Sequence, residues 1–242
     1  MATKAAIFKI GGKILDNSKH LINTIAQLTQ LFEDKIIKKI IIIPGGGNLA
    51  NFVRKIYLEF KLDDELAHWI AIYSMNFNGL ELQRKFPHLE IVEDFKFLKN
   101  EKRIFSIFLP FKYLKLIDPL PYSWDVTSDS ITLYCAYKLG LNDCFLIKDV
   151  DGVLDKNNNV IQELTTKKFI KLKRANNLAK NNANSSDIKE QSKPIDAYLT
   201  KLIDLYKVDL IILNGISPNL RILNYFSKTD QSNKVYSKIN FE

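Results

Sequence analysis

The chain's 242 residues, 46% of them hydrophobic, suffice for one large α/β domain or two small ones with a substantial core. No apolar run approaches the roughly 20 residues needed to cross a bilayer, and MATKAAIFKI lacks the long apolar core of a signal peptide, so a cytoplasmic protein with no membrane partner is expected. The net charge of +8 is localised: residues 165–193 hold eight Lys/Arg against Asp187 and Glu190, which is +6, and with no aromatic interleaving nucleic acid is not an expected partner.

In chain order, residues 7–10 (IFKI) read as a short apolar strand followed at once by Gly11 and Gly12. A helix is predicted over 18–32, with Leu21, Ile25 and Leu28 at helical spacing. KIIIIPGGG is a wholly apolar strand of the kind buried on both faces of a parallel sheet, and residues 48–60 form the next helix. Asp63 and Asp64 precede a further helix, ELAHWIAIYSMNFNGLELQRKF, with Leu66, Ile70, Tyr73 and Phe77 on one stripe.

The middle is less regular. IFSIFLP and YLKLI read as strands, DPLPYSW as a proline-punctuated loop, and TSDSITLYCAYKLG as a helix capped by a hydroxyl or an acid and ended at Gly140. CFLIKDVDGV is a strand running into a turn, and Cys135 and Cys144 read as buried free thiols because neither has a metal-ligand spacing. The Asn/Ser/Lys-rich stretch 171–193 reads as a loop or hairpin insertion, with a polyphosphate clamp as the alternative. IDAYLTKLIDLYK is an amphipathic helix and VDLIILNGI a last buried strand. This alternation predicts a three-layer α/β/α sandwich with a largely parallel central sheet, in a single domain covering 1–242.

The chemistry gathers at strand ends. IIIPGGGNLANFVR places three of the chain's nine glycines together. One glycine is explained by a sharp strand-to-helix turn. Three of them clear the side chains from a helix N-terminus, where backbone N–H groups can hold a phosphate. FKIGGK and LIKDVDGV are the other unusual strand ends, and ligands of open α/β sheets collect outside such ends. Neither a Walker loop nor a GxGxxG dinucleotide fingerprint is present.

KIGG, PGGG, TSDS and DVDGV, in this order over nearly the whole chain, resemble the amino acid kinase superfamily. Within it, DELAHWIAIYSMNFNGLEL, WDVTSDS and PIDAYL followed by NGISPNL are similar to the archaeal branch of methanofuran biosynthesis, whose acceptor is the phosphomonoester [5-(aminomethyl)furan-3-yl]methyl phosphate. The resemblance implies a kinase using ATP and Mg²⁺ on a small-molecule acceptor, with an acceptor lobe near 1–140 and a nucleotide lobe near 141–242. It also implies a homodimer or larger homo-oligomer. It makes Lys9 and Asp129 catalytic: Lys9 stabilises the transferring group and Asp129 holds the lysines in place. Gly11, Gly12, Lys13, Lys148, Asp149, Asp151, Gly152 and Val153 fall on phosphate and nucleotide. Gly45, Gly46, Gly47, Asn48, His68, Asp125 and Thr127 fall on the acceptor, and no protein side chain is assigned to the metal.

Each residue also has a plainer reading. A lysine after a strand is usually a solvated charge, WDVTSDS can be only a helix cap, and His68 and Trp69 can be core. Two departures from the family pattern stand out. GGK replaces the common GGS, so Lys13 either strengthens phosphate binding or crowds the hydroxyl's place. The second catalytic lysine has four candidates, Lys148, Lys167, Lys168 and Lys193. Alternatives to a phosphomonoester kinase are a kinase for a carboxylate or hydroxyl acceptor of the amino acid, isopentenyl phosphate or nucleoside monophosphate type, and a non-catalytic ATP-binding regulator.

Overall fold

The computed structural model describes residues 3–179, 194–227 and 234–242. The elements in order are β1 (Thr3–Ile10), α1 (Gly12–Leu15), α2 (Ser18–Glu33), β2 (Ile37–Pro44), α3 (Gly47–Phe60), α4 (Asp64–Lys85), β3 (Glu90–Val92), α5 (Phe95–Asn100) and β4 (Ile104–Phe108). There follow α6 (Phe111–Ile117), α7 (Ser128–Lys138), β5 (Asp143–Lys148), β6 (Glu163–Thr165), α8 (Thr166–Arg174), α9 (Leu199–Tyr206), β7 (Asp209–Asn214), α10 (Arg221–Phe226) and β8 (Ser237–Asn240).

All described strands join one sheet in the order β3-β4-β2-β1-β5-β7-β8-β6. Only β7 and β8 pair antiparallel. The expected α/β/α sandwich is what forms. Its reason lies in the period of two along the central strands. Ile7, Ile41, Ile43, Leu146 and Ile212 point to one face and pack with buried residues of α4, α7 and α9. Phe8, Ile10, Ile40, Ile42, Ile147 and Ile211 point to the other, against α2 and Ile222 of α10. β1 and β2 are therefore apolar on both sides, as buried parallel strands must be.

Four expectations change. YLKLI is not a strand but part of α6, which buries Leu114 and stacks Tyr113 on Phe95 at 4.1 Å. A short apolar run does not reveal its period, and here packing chose the helix. The first glycine turn opens a one-turn helix of its own, α1. The Leu66, Ile70, Tyr73 and Phe77 stripe is not in the core: α4 buries Ala67, Ile72, Met75 and Gly79 instead, and the stripe faces outward. The basic stretch begins as helix α8 with Phe169 buried, whereas its part over 180–193 lies outside the described residues. Cys135 and Cys144 are buried free thiols, as read from their apolar contexts.

Candidate active site

Lys9 is the penultimate residue of β1 and Lys148 the last of β5. In the β1–β5 register Lys9 lies opposite Leu146, so Lys148, two residues on, emerges on the same face. That face is the one α7 covers, and Asp129 sits in the first turn of α7. The three groups meet there. Lys9 Nζ lies 2.8 Å from Asp129 Oδ1, and Lys148 Nζ lies 2.5 Å from Oδ2. Lys148 donates a hydrogen bond to one carboxylate oxygen, and Lys9 stands at ion-pair distance from the other.

All three side chains are nearly excluded from water. Burial pushes the Asp129 carboxyl up, but the ammonium groups of Lys148 and Lys9 outweigh it and hold it down at about 2. Burial pulls Lys148 below its usual value; Asp129 opposes the fall and Lys9 adds to it. One carboxylate shared by two ammonium groups leaves an excess positive charge in a dry setting, which suits a polyanion.

Two glycine turns face this triad. Gly11 N–H donates to Ile147 O at 2.8 Å and Gly45 N–H to Ile10 O at 2.9 Å, so these two groups tie the strand ends together and are not the phosphate donors expected of them. The turns touch: a Cβ on Gly12 would lie 2.9 Å from Gly47 Cα, and Gly47 itself has φ +54. The N–H groups of Gly47, Asn48 and Leu49 precede the first intrahelical donor of α3, Ala50 N–H, which donates to Gly46 O. They leave the start of α3 competent to bind an anion. Asn78 of α4 pins the turn by donating to Gly45 O at 2.7 Å.

On the other side, Lys13 reaches across to Asp149 at 2.7 Å. Asp151 accepts from Arg221 Nε at 3.2 Å and Asn214 Nδ2 at 3.1 Å. Gly152 has φ +143 and no room for a side chain against Ser237, whose Oγ accepts from Val153 N–H at 2.8 Å. Beside this turn Val150, Val153, Leu154, Leu178 and Pro194 border a small cleft. Both carboxylates of the turn are thus paired with cations, and among the described residues no His, Cys, Asp or Glu cluster could hold a metal ion.

The remaining predicted residues spread out. The Thr127 hydroxyl donates to Asp196 at 2.9 Å and accepts from Asp129 N–H, which makes it the cap of α7. Asn48 and Asp125 are exposed. His68 stands in an aromatic cluster, with ring centroids 5.0 Å from Trp69 and 5.1 Å from Tyr122, and burial lowers its pKa. Of the four candidate second lysines, Lys148 alone among the described residues reaches Asp129. Lys167 is 82% exposed beside Glu242, Lys168 is exposed, and Lys193 lies outside the described residues.

Sequence reasoning missed Asn78, Arg221 and Asp196. Asp196 accepts from Thr127, Ser130 and Leu199 N–H, fastening α7 to α9. Burial and the nearby Asp129 charge raise its pKa. A polar residue inside an apolar helix, such as Asn78, was the one available signal.

Comparison with known proteins gives a consistent picture. A family model described as the amino acid kinase family matches residues 4–214. The chain is 30% identical over 235 residues to a [5-(aminomethyl)furan-3-yl]methyl phosphate kinase of Methanocaldococcus jannaschii, covering 96% of each chain. Among solved structures it is similar to UMP kinase from Ureaplasma parvum, with a TM-score of 0.69 at 18% identity over 99% of this chain and 100% of that one. It is also similar to carbamate kinase from Giardia lamblia bound to AMP-PNP, with a TM-score of 0.57 at 10% identity over 100% and 99% of the two chains. At these identities the solved structures speak to the fold.

Proposed function

The chain belongs to the amino acid kinase family and is a kinase, and on that premise we propose that it moves the γ-phosphoryl group of ATP onto the phosphate of a small phosphomonoester, forming a diphosphate. The observation that carries this reading is the buried Lys9–Asp129–Lys148 triad beside the start of α3. An acceptor phosphate oxygen attacks the γ-phosphorus while its bond to the ADP oxygen breaks. Lys9 and Lys148 offset the negative charge on the equatorial oxygens, and Asp129 positions both. The N–H groups of Gly47 and Asn48 hold the acceptor phosphate, with Gly45 and Gly46 shaping the turn.

Gly12 and Lys13 flank the β- and γ-phosphates, and the Asp149–Val153 turn, which Lys13 reaches through Asp149, faces the nucleotide. The lobes near 1–140 and 141–242 would then hold acceptor and nucleotide. Three ammonium groups fit a triphosphate, whereas the paired Asp149 and Asp151 offer no ligand set for a divalent ion. Mg²⁺ would therefore be carried by the ATP phosphates, where it supplies further charge neutralisation.

The phosphomonoester is favoured over a carboxylate because the relative at 30% identity is named for such an acceptor. His68, Asp125 and Thr127 act on the acceptor side only through the walls they support. Assembly as a homodimer is supported by α4, whose outward Leu66, Ile70, Tyr73, Phe77 and Leu80 repeat at the spacing of a helix-pairing seam. A cytoplasmic location fits a kinase dependent on ATP.

The test is direct. The protein is incubated with Mg-ATP and a panel containing [5-(aminomethyl)furan-3-yl]methyl phosphate, UMP, carbamate and aspartate, and ADP is measured against a Lys9→Ala control. Production of ADP and a diphosphate with the furan ester supports the reading. ADP no higher than the control with every acceptor defeats it, and nucleotide-induced thermal stabilisation without transfer would point to a regulator instead.

A further inference from the structure

Beyond the phosphate-handling groups, the site has a far end. Its floor is the meeting of β2 and α7, where a side chain on Gly45 would lie 3.2 Å from Lys9 Cε and 3.4 Å from Ser128 Oγ. Two walls rise from this floor. One is α3, which starts at Gly47; the other is the segment 118–127, which descends to Thr127, the cap of α7. Seven residues along α3, about 10 Å at 1.5 Å per residue, the walls join: the Arg54 guanidinium carbon lies 4.7 Å over the Trp124 ring. The Tyr57 ring, one turn further along α3, is 5.6 Å from the same indole at 59°.

This junction is built rather than incidental. Arg54, Tyr57 and Trp124 are all half-buried although each stands on a surface element. Tyr57 is held in turn by a 2.6 Å hydrogen bond to Asp64 at the start of α4. A guanidinium resting on an indole fixes the indole's plane. Trp124 thus stands about 10 Å along α3 from the turn that would take the acceptor phosphate, a separation that the body of a small phosphomonoester spans. A flat unsaturated ring gains offset or edge contacts with such a wall that a saturated chain of equal size does not.

Resting on the kinase reading above, we propose that Trp124, positioned by Arg54, is the residue of the acceptor site that recognises a flat unsaturated ring. Trp124 touches the substrate; Arg54 acts through Trp124.

The test compares furan-3-ylmethyl phosphate with isobutyl phosphate in the wild type and in Trp124→Phe, Trp124→Leu and Arg54→Gln. The wild type should show a KM about three- to tenfold lower for the furan ester, the span that one aromatic contact supports. Trp124→Leu should erase that preference with the KM for ATP unchanged, Trp124→Phe should keep most of it, and Arg54→Gln should weaken it. In the absence of ATP, the furan ester should quench wild-type tryptophan emission and leave Trp124→Phe, which retains only Trp69, unaffected. A preference that survives in Trp124→Leu, an equal loss for both esters, or no quenching overturns the assignment. If the wild type phosphorylates both esters with equal KM, the ring assignment alone fails; if it phosphorylates no phosphomonoester at all, the kinase reading fails with it.

Discussion

The Lys148 ammonium lies 2.5 Å from one oxygen of the Asp129 carboxylate, on the side opposite Lys9. Two elements far apart in the chain, β5 and α7, thus supply one charge balance. Because Lys148 is buried, its proton is held by Asp129 and pushed off by Lys9 and by the loss of water.

That balance has a kinetic signature. On the proposed mechanism Lys148 must be charged to offset the transferring group, and its pKa is lowered by burial, so kcat should fall with rising pH before an ordinary lysine near 10.4 would titrate. Lys148→Arg should move this alkaline limb upward, and Lys148→Met should cost about 10²- to 10³-fold in kcat. Steady-state ADP release from pH 7 to 11 checks both.

Asp129 sets an acid limit. Its folded-state value of about 2 lies below the roughly 3.9 of an unfolded aspartate, so the stability it contributes, about 2–3 kcal/mol, is fully present above pH ~4 and lost as pH falls toward ~2. Asp129→Asn should be destabilised at neutral pH, since two buried ammonium groups lose their partner, and should lack this share of the acid dependence. Urea titrations of both proteins across that window measure the difference.

Lys13 is a separate matter. Its pair with Asp149 is 63% exposed on the lysine side, and such pairs contribute at most about 1 kcal/mol. Lys13→Ser should therefore leave the melting temperature nearly unchanged while raising the KM for ATP several-fold, as a phosphate contact would. An unchanged KM with faster turnover would indicate crowding instead.

The outward stripe of α4 predicts association. Ile70→Asp combined with Phe77→Asp should convert the assembly to monomers without unfolding it, because Ile70 and Phe77 are 39% and 48% exposed in the single chain. Sedimentation velocity reads the mass and circular dichroism the fold.

Much of this was legible from residue order. The apolar runs of β1 and β2, each ended by a glycine turn, read as strands, and the second as one buried on both faces of a parallel sheet. Lys148 could not be chosen over Lys167 and Lys168 from spacing, because the choice depends on which face of β5 points at α7, a property of strand register. YLKLI was misread as a strand because a run of five residues carries no clear period. Nor did the stripe on α4 reveal that it points outward; both faces of that helix are apolar, and only packing distinguishes them.

The pairing of β1 with β5 has a mechanical consequence. A slip of one residue between these strands would turn Ile147 toward Asp129 and drive Lys148 into the opposite layer, so the charges of Lys9, Asp129 and Lys148 are indexed by the main-chain ladder and not by a loop. Activity in rising denaturant should then vanish together with the sheet itself, in one transition, with no window in which an inactive chain keeps its strands paired.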